Sequence, residues 1–177
     1  MSEEYNHDVK ITKVTDWDLV YKLALDTAGL KPKTPQPTDT WKRKILQARH
    51  SPIRGLVFVV EFTVPYWVSV HFVRHKIGVE HFVQSQRVDR TGEERDSKPQ
   101  DAPVRHTMLL NAEAIMNISA KRLCRKASPE TRDAWNAVLD KLHDIEPVLV
   151  KECGPQCYYN GGICREMRSC RLDDIDD

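Results

Sequence analysis

The chain has 177 residues, enough for one ordinary domain and few for two, and its 27 basic and 26 acidic residues leave a formal charge of only +1. With 40% apolar residues and 30% charged residues of both signs it can bury a core, which excludes a disordered chain, while near-neutral charge speaks against a generic polyanion binder. No stretch approaches the roughly 18 to 20 apolar residues of a membrane helix, and Met1-Ser2-Glu3-Glu4 lacks the basic and apolar regions of a secretion signal, so a cytoplasmic location is expected.

Thr15 to Ala28 is predicted as the first helix, with Thr15 as N-cap, an apolar stripe of Trp17, Val20, Tyr21 and Leu25, and Gly29 as its stop. Pro32, Pro35 and Pro37 make a linker to a short basic helix from about Thr40 to Ala48. His50-Ser51-Pro52 then marks a turn. Gly55 to Thr63 is β-branched and aromatic, apolar on both parities until Glu61, and is expected to be a central strand buried on most of both faces. Pro65 suits the first position of a helix from Tyr66 to Lys76 that sets Trp67, Val70 and Arg74 at helical spacing beside His71.

Glu80 to Arg90 fits an extended segment, and Thr91 to Pro103 a charged loop. Two helices are predicted beyond it. His106 to Cys124 carries Met108, Leu109, Ile115, Met116, Ile118 and Leu123, and a second helix opens at Ser128-Pro129 and sets Trp135, Val138, Leu139, Leu142 and Ile145 on one stripe until Pro147. The elements point to an α+β chain with few strands and a Cys-rich C-terminal tail. The expected division is a main domain over residues 1–152 and a tail over residues 153–177.

Two cationic clusters stand out. Arg74, Lys76, Arg87 and Arg90 face only Glu80 and Asp89, while Lys121, Arg122, Arg125 and Lys126 lie in a stretch, 114–129, without any acidic residue. Cations favour helix C-termini, where the dipole contributes about 0.3 to 1 kcal/mol each. The sharper reading is an anion site, because guanidinium groups bind phosphate bidentately. On an ideal helix Asn111 and Arg122, eleven residues apart, return to within about 20° of each other; the alternative for Asn111 and Asn117 is a capping or solvent-facing role.

Arg74-His75-Lys76, eight residues, then Ser85-Gln86-Arg87 resembles the signature of the flavin-dependent thymidylate synthases: Arg-His-Arg, seven or eight residues, Ser, with an Arg two positions on. Ser51-Pro52 is similar to the family's turn ahead of its strand, and Asn111-Ala112, Asn117 and Arg122 to its late helix. The resemblance spans about Arg49 to Arg122.

It implies an α+β subunit with a small antiparallel sheet flanked by helices, in which residues 1–152 are the catalytic domain, and a homotetramer with active sites at subunit junctions that bind FAD and the nucleotide dUMP, with NADPH and methylenetetrahydrofolate as co-substrates. Carried over by position, Arg74 touches flavin and nucleotide, His75 and Lys76 the flavin, and Ser85, Gln86 and Arg87 the nucleotide. Ser51, Asn111 and Asn117 fall near the flavin, and Arg122 near the pyrimidine, where a cation at the carbonyl edge stabilises charge that builds up when C5 becomes nucleophilic. Arg122 and Arg74 are therefore the expected catalytic pair.

Departures from the pattern are visible. Lys76 replaces an Arg, His71 stands where a substrate-binding Gln is common, and Arg49-His50 stands where His-Glu is usual. Only 23 residues separate Arg87 from Asn111, so a helix bearing another substrate Arg is missing, with Arg95 or Arg105 as substitutes. Such a compact, phage-like form leaves hydroxymethylation of a pyrimidine nucleotide open. A third reading is a non-catalytic nucleotide- or nucleic-acid-binding module that uses the basic clusters and a zinc-bearing tail.

Cys153, Cys157, Cys164 and Cys170 crowd the last 25 residues, ahead of Asp173, Asp174, Asp176 and Asp177. Four thiolates suit a tetrahedral zinc, though without a regular CxxC knuckle. Packing thiols, an oxidised pair and an iron–sulfur cluster are the alternatives.

Overall fold

The computed structural model describes residues 7–170, so the four terminal aspartates lie outside the described residues. The described elements run β1 (Lys10–Lys13), α1 (Trp17–Ala28), α2 (Asp39–Gln47), β2 (Val57–Pro65), α3 (Tyr66–Phe72), β3 (Val79–Val83), α4 (Val88–Thr91), β4 (Pro103–Asn111), α5 (Ala112–Arg122), α6 (Pro129–His143), α7 (Pro147–Val150) and α8 (Gln156–Tyr159). The four strands form one antiparallel sheet in the order β1-β2-β4-β3. The expected α+β class with a small sheet flanked by helices is therefore what the chain adopts.

Packing of the sheet follows a period of two. Phe58, Val60, Phe62 and Val64 of β2 are buried, and the residues between them are only partly covered. The strand is central, as expected, but one face alone is sealed. Against that face lie Ile115, Met116 and Ile118 of α5 and Trp135, Val138 and Leu142 of α6, all within the main core. The Trp135 indole donates to Ser119 Oγ at 2.9 Å, which in turn donates to the Ile115 carbonyl at 2.8 Å, so the polar edge of the largest core side chain is satisfied. Among the described residues no helix is long and apolar enough to cross a membrane.

The largest correction concerns residues 103–111. They form β4, paired along its whole length with β2 from Val57↔Asn111 to Pro65↔Pro103, and not the first half of a helix beginning at His106. Val104, His106, Met108 and Leu110 are buried, whereas Arg105 and Leu109 are exposed. That alternation marks a strand, and the adjacent Met108-Leu109 pair obscures it when the segment is read at helical period. Asn111 is the hinge: its backbone is extended (φ −99°, ψ 169°) and its side chain accepts from the Ala114 N–H at 2.9 Å, capping α5. The inference that Asn111 and Arg122 share a helical face therefore fails.

Smaller corrections have local causes. Thr15 is not the cap of α1; its hydroxyl donates to the Gly55 carbonyl and accepts from the Val57 N–H, tying the helix entry to β2. Gly29 does stop α1, in the left-handed region at φ 63°. Helix α3 ends at Phe72 with Val70 exposed, so Arg74, His75 and Lys76 sit in a turn beyond it. Pro65 precedes that helix as its cap residue. Ser128 caps α6 as expected, but the helix ends at His143 and Ile145 is exposed.

Candidate active site

The turn between α3 and β3 receives Arg122 from the end of α5. Arg122 Nε donates to His75 Nε2 at 3.0 Å and its Nη2 donates to the His71 carbonyl at 2.5 Å. Residues 47 and 51 positions apart are thereby joined. Because Nε–H can only donate, the His75 ring accepts through an unprotonated Nε2. Burial, then Arg122, His81 and Lys121, push the His75 imidazole down to about 4, which keeps it an acceptor at neutral pH. Burial and then Arg74 lower the Arg122 pKa from its ordinary value. Arg74 and Lys76 are exposed, with no carboxylate at ion-pair distance among the described residues.

His71 turns its Nδ1 to Thr131 Oγ1 at 2.8 Å and stands edge-on to Trp67, linking the turn to the start of α6. Burial, then Arg122 and Arg74, lower its pKa. Asn111 reaches the same turn through its backbone, whose N–H donates to the Gly78 carbonyl at 3.0 Å. A Cβ on Gly78 would lie 2.7 Å from Asn111 Nδ2, and the glycine itself sits at φ +72°, so the close approach and the backbone conformation both demand glycine there.

Asn117, one turn and a half further along α5, accepts from Arg49 Nη1 at 2.7 Å. Arg49 holds a left-handed backbone at φ 50° and stacks its guanidinium over Tyr159 at 4.6 Å. The exposed Ser51 follows, in a 3₁₀ turn over Ser51–Gly55 that Arg54 fastens to Glu113 of α5 with two bonds of 2.8 and 3.3 Å. The blocks around Ser51, Arg74 and Asn111 to Arg122 are thus brought together around α5.

Ser85, Gln86 and Arg87 lie elsewhere. Strand pairing runs from Gly78–Asn111 to Gln84–Arg105, so six extended steps, about 20 Å, separate the two ends of β3, with Ser85 beyond the far one. Ser85 Oγ accepts from the Arg87 N–H at 3.3 Å, and the exposed Arg87 pairs with Asp89 at 2.9 Å. Ser85 borders an open cavity of about 490 Å³ with Phe82, Gln84, Arg90, Arg105 and Thr107. Arg105, named above as one substitute for the missing arginine, is in this cavity wall, 3.7 Å from Glu61. Arg90 was no part of the motif, and its place follows only from the turn of α4. His81 and His106, also outside the motif, join ring to ring at 3.0 Å, with His81 Nε2 bonded to the His75 carbonyl at 2.6 Å. The inward position of His106 is readable from the alternation of β4.

The four tail cysteines are not gathered. Among the described residues no group of three or more His, Cys, Asp or Glu side chains could hold a metal ion, so the zinc expectation is not met. Cys153 packs on the core, bonds the Leu149 carbonyl and is pushed up to about 12 by burial, the state of a protonated packing thiol. The other three are free thiols.

No family model matches the chain. Over 68 residues it is 38% identical to a flavin-dependent thymidylate synthase of Sulfolobus acidocaldarius, a match covering 38% of this chain and 25% of the relative, so the aligned part spans a quarter of that protein. In fold it is similar to the UMP/dUMP methylase PolB of Streptomyces cacaoi. The structure of that protein with 5-Br dUMP superposes with a TM-score of 0.62 at 15% identity, over 85% of this chain and 96% of the other. Its complex with 5-Br UMP gives 0.60 at 14% identity, over 82% and 93%. Over part of its length the chain resembles a flavin-dependent thymidylate synthase in sequence, and over most of its length it has the α+β fold of the UMP/dUMP methylase PolB.

Proposed function

We propose that the chain is a subunit of an enzyme that transfers a one-carbon unit from methylenetetrahydrofolate to C5 of dUMP with FAD as cofactor and NADPH as reductant. The observation that carries this reading is the delivery of Arg122 onto the Arg74-His75-Lys76 turn, because it joins two motif blocks that the resemblance assigns to one site. Arg122, held by His75 and the His71 carbonyl, is the cation at the pyrimidine carbonyl edge, where it stabilises the charge that makes C5 nucleophilic. Arg74 assists from the same rim.

The residues present fit a phosphate-bearing flavin. Arg74 and Lys76 are exposed cations without a carboxylate partner among the described residues, and Asn117, bonded to Arg49, and the turn of Ser51, tied to α5 through Arg54 and Glu113, lie along the same helix. When bound, the flavin supplies the hydride chemistry, and the protein supplies binding and orientation. Lys76 offers a compact point charge where the family pattern has a planar fork, so it meets phosphate without bidentate geometry. Ser85, Gln86 and Arg87 are assigned to the nucleotide, with Arg105 and Arg90 as the nearby cations.

With the two halves of the motif at opposite ends of β3, we read the site as completed by a neighbouring subunit in a homotetramer with shared sites. The outward face of the sheet, with Phe82 and Leu109 exposed and Val57 and Val59 only partly covered, is suited to contact between subunits. Residues 1–152 then form the catalytic domain and residues 153–177 an appended tail.

Incubation with FAD, NADPH, methylenetetrahydrofolate and dUMP, followed by mass spectrometry of the nucleotide, tests the proposal. An added methyl group is the expected result, an added hydroxymethyl group selects the hydroxymethylase alternative, and an unchanged nucleotide with no FAD binding overturns both.

A further inference from the structure

His106 is an anomaly in the core. It is fully buried, stacked on Phe62 with ring centroids 5.2 Å apart, and set edge-on to Phe72, yet its Nδ1 has no hydrogen-bond partner. A phenylalanine would fill this aromatic slot without an unsatisfied polar atom, and burying such an atom is costly. Whatever His106 contributes must therefore come through its other nitrogen, which contacts His81 Nδ1 at 3.0 Å.

The His75 carbonyl can only accept, so His81 Nε2 carries a proton toward it. The His106 proton then belongs on Nε2, where it has a partner, and it donates to His81 Nδ1. Burial, followed by the neighbouring His81, pushes His106 down to about 4, in keeping with a neutral His106 ring. A directed chain results, from His106 to His81 to the His75 backbone, while the His75 side chain accepts from Arg122.

We propose that His81 and His106 are positioning residues: the pair anchors the His75 carbonyl to the sheet and so fixes the His75 ring as the acceptor that orients Arg122. This rests on the reading of Arg122 as the nucleotide-facing cation for its functional consequence, but the orientation of the His75 ring does not depend on that reading. The turn at residues 73–78 has few other ties. His75 N–H donates to the Phe72 carbonyl and Asn111 N–H to the Gly78 carbonyl, leaving His81 as the hydrogen-bonding side chain that grips the His75 carbonyl.

The test is histidine-ring nitrogen NMR on ¹⁵N-labelled protein without ligand, paired with dUMP and FAD titrations. In the unsubstituted protein the His75 ring is expected as the Nδ1–H tautomer with Nε2 accepting. His81→Leu should average the His75 tautomers and raise the dUMP dissociation constant at least fivefold, whereas His81→Gln, whose amide reaches like Nε2, should restore both to within about twofold. His106→Phe should melt at the same or higher temperature and still disturb the His75 ring.

An unchanged His75 spectrum in a folded His81→Leu or His106→Phe protein overturns the proposal. If His81→Leu does not fold, His106→Phe decides. Failure of the unsubstituted protein to bind dUMP or FAD would instead overturn the functional reading, with the ring spectra still deciding the positioning role.

Discussion

The two ends of β3 are built differently. At its start, Arg122 is half-buried and bonded to His75 and His71, and Asn111, Gly78 and His81 brace the same turn. At its end, Ser85 accepts from the Arg87 N–H of its own loop, Arg87 is exposed, and the adjoining cavity is open. One end is preorganised by the chain's own side chains, and the other is open. On the proposed function, the contrast would separate residues that orient a reacting group, where rigidity matters, from residues that capture a charged substrate with the help of a neighbouring subunit.

Arg122→Ala should break the preorganised end most severely. Removing a cation aimed at developing charge costs about 10²–10³ in turnover. The same change removes two hydrogen bonds, so melting should fall by only a few degrees, as checked by product mass and thermal unfolding. Unchanged turnover would take Arg122 out of the site.

The open end is tested by complementation. Arg122→Ala and Ser85→Ala proteins, each of low activity, should regain activity when co-expressed. If each site takes Arg122 from one subunit and Ser85 from another, random mixing leaves about a quarter of the sites with both groups intact. Activity no higher than that of the separate variants would show that both groups act from the same chain.

The residues on both sides of this contrast were legible in the sequence, and the contrast itself was not. The motif spacing selected Arg74, His75, Ser85 and Arg122, and the caps Gly29 and Ser128 stand where their residue types predict. What misled was competition between periods: Met108-Leu109 followed by Ile115-Met116 reads as one amphipathic helix, whereas pairing of nine residues with β2 makes the first part a strand. Backbone bonds to a distant partner decide such a segment, and local pattern does not contain them. The same limit hid His81 and His106, which acquire meaning only once β3 and β4 lie side by side. It also produced the zinc expectation, since four nearby positions in sequence are not four ligands in space.

A smaller effect, on stability, sharpens the account of the braced end through pH. His106 is neutral in the folded protein, with its pKa at about 4 against an ordinary 6.5. Between these values the unfolded chain binds the extra proton, so stability is unaffected above about pH 6.5 and is lost as pH falls toward 4. The loss from this group is on the order of 2–3 kcal/mol. Chemical denaturation at pH 7 and pH 4.5 should show it, and His106→Phe should make the difference smaller.

The smallest effect probes how Gly78 and Asn111 share the brace. Asn111→Ala removes the cap of α5 and should cost about 1 kcal/mol. Gly78→Ala forces a side chain into the left-handed region and pushes a Cβ to 2.7 Å from Asn111 Nδ2, so strain of about 1 kcal/mol is joined by displacement of the cap. The two changes act on one contact, and their costs should not add. With alanine at position 111 the amide is gone, and Gly78→Ala should then cost only its backbone strain. Denaturation midpoints of the four proteins measure this coupling; strict additivity would mean that the turn and the cap of α5 are independent and that the brace at the start of β3 does not work as one unit.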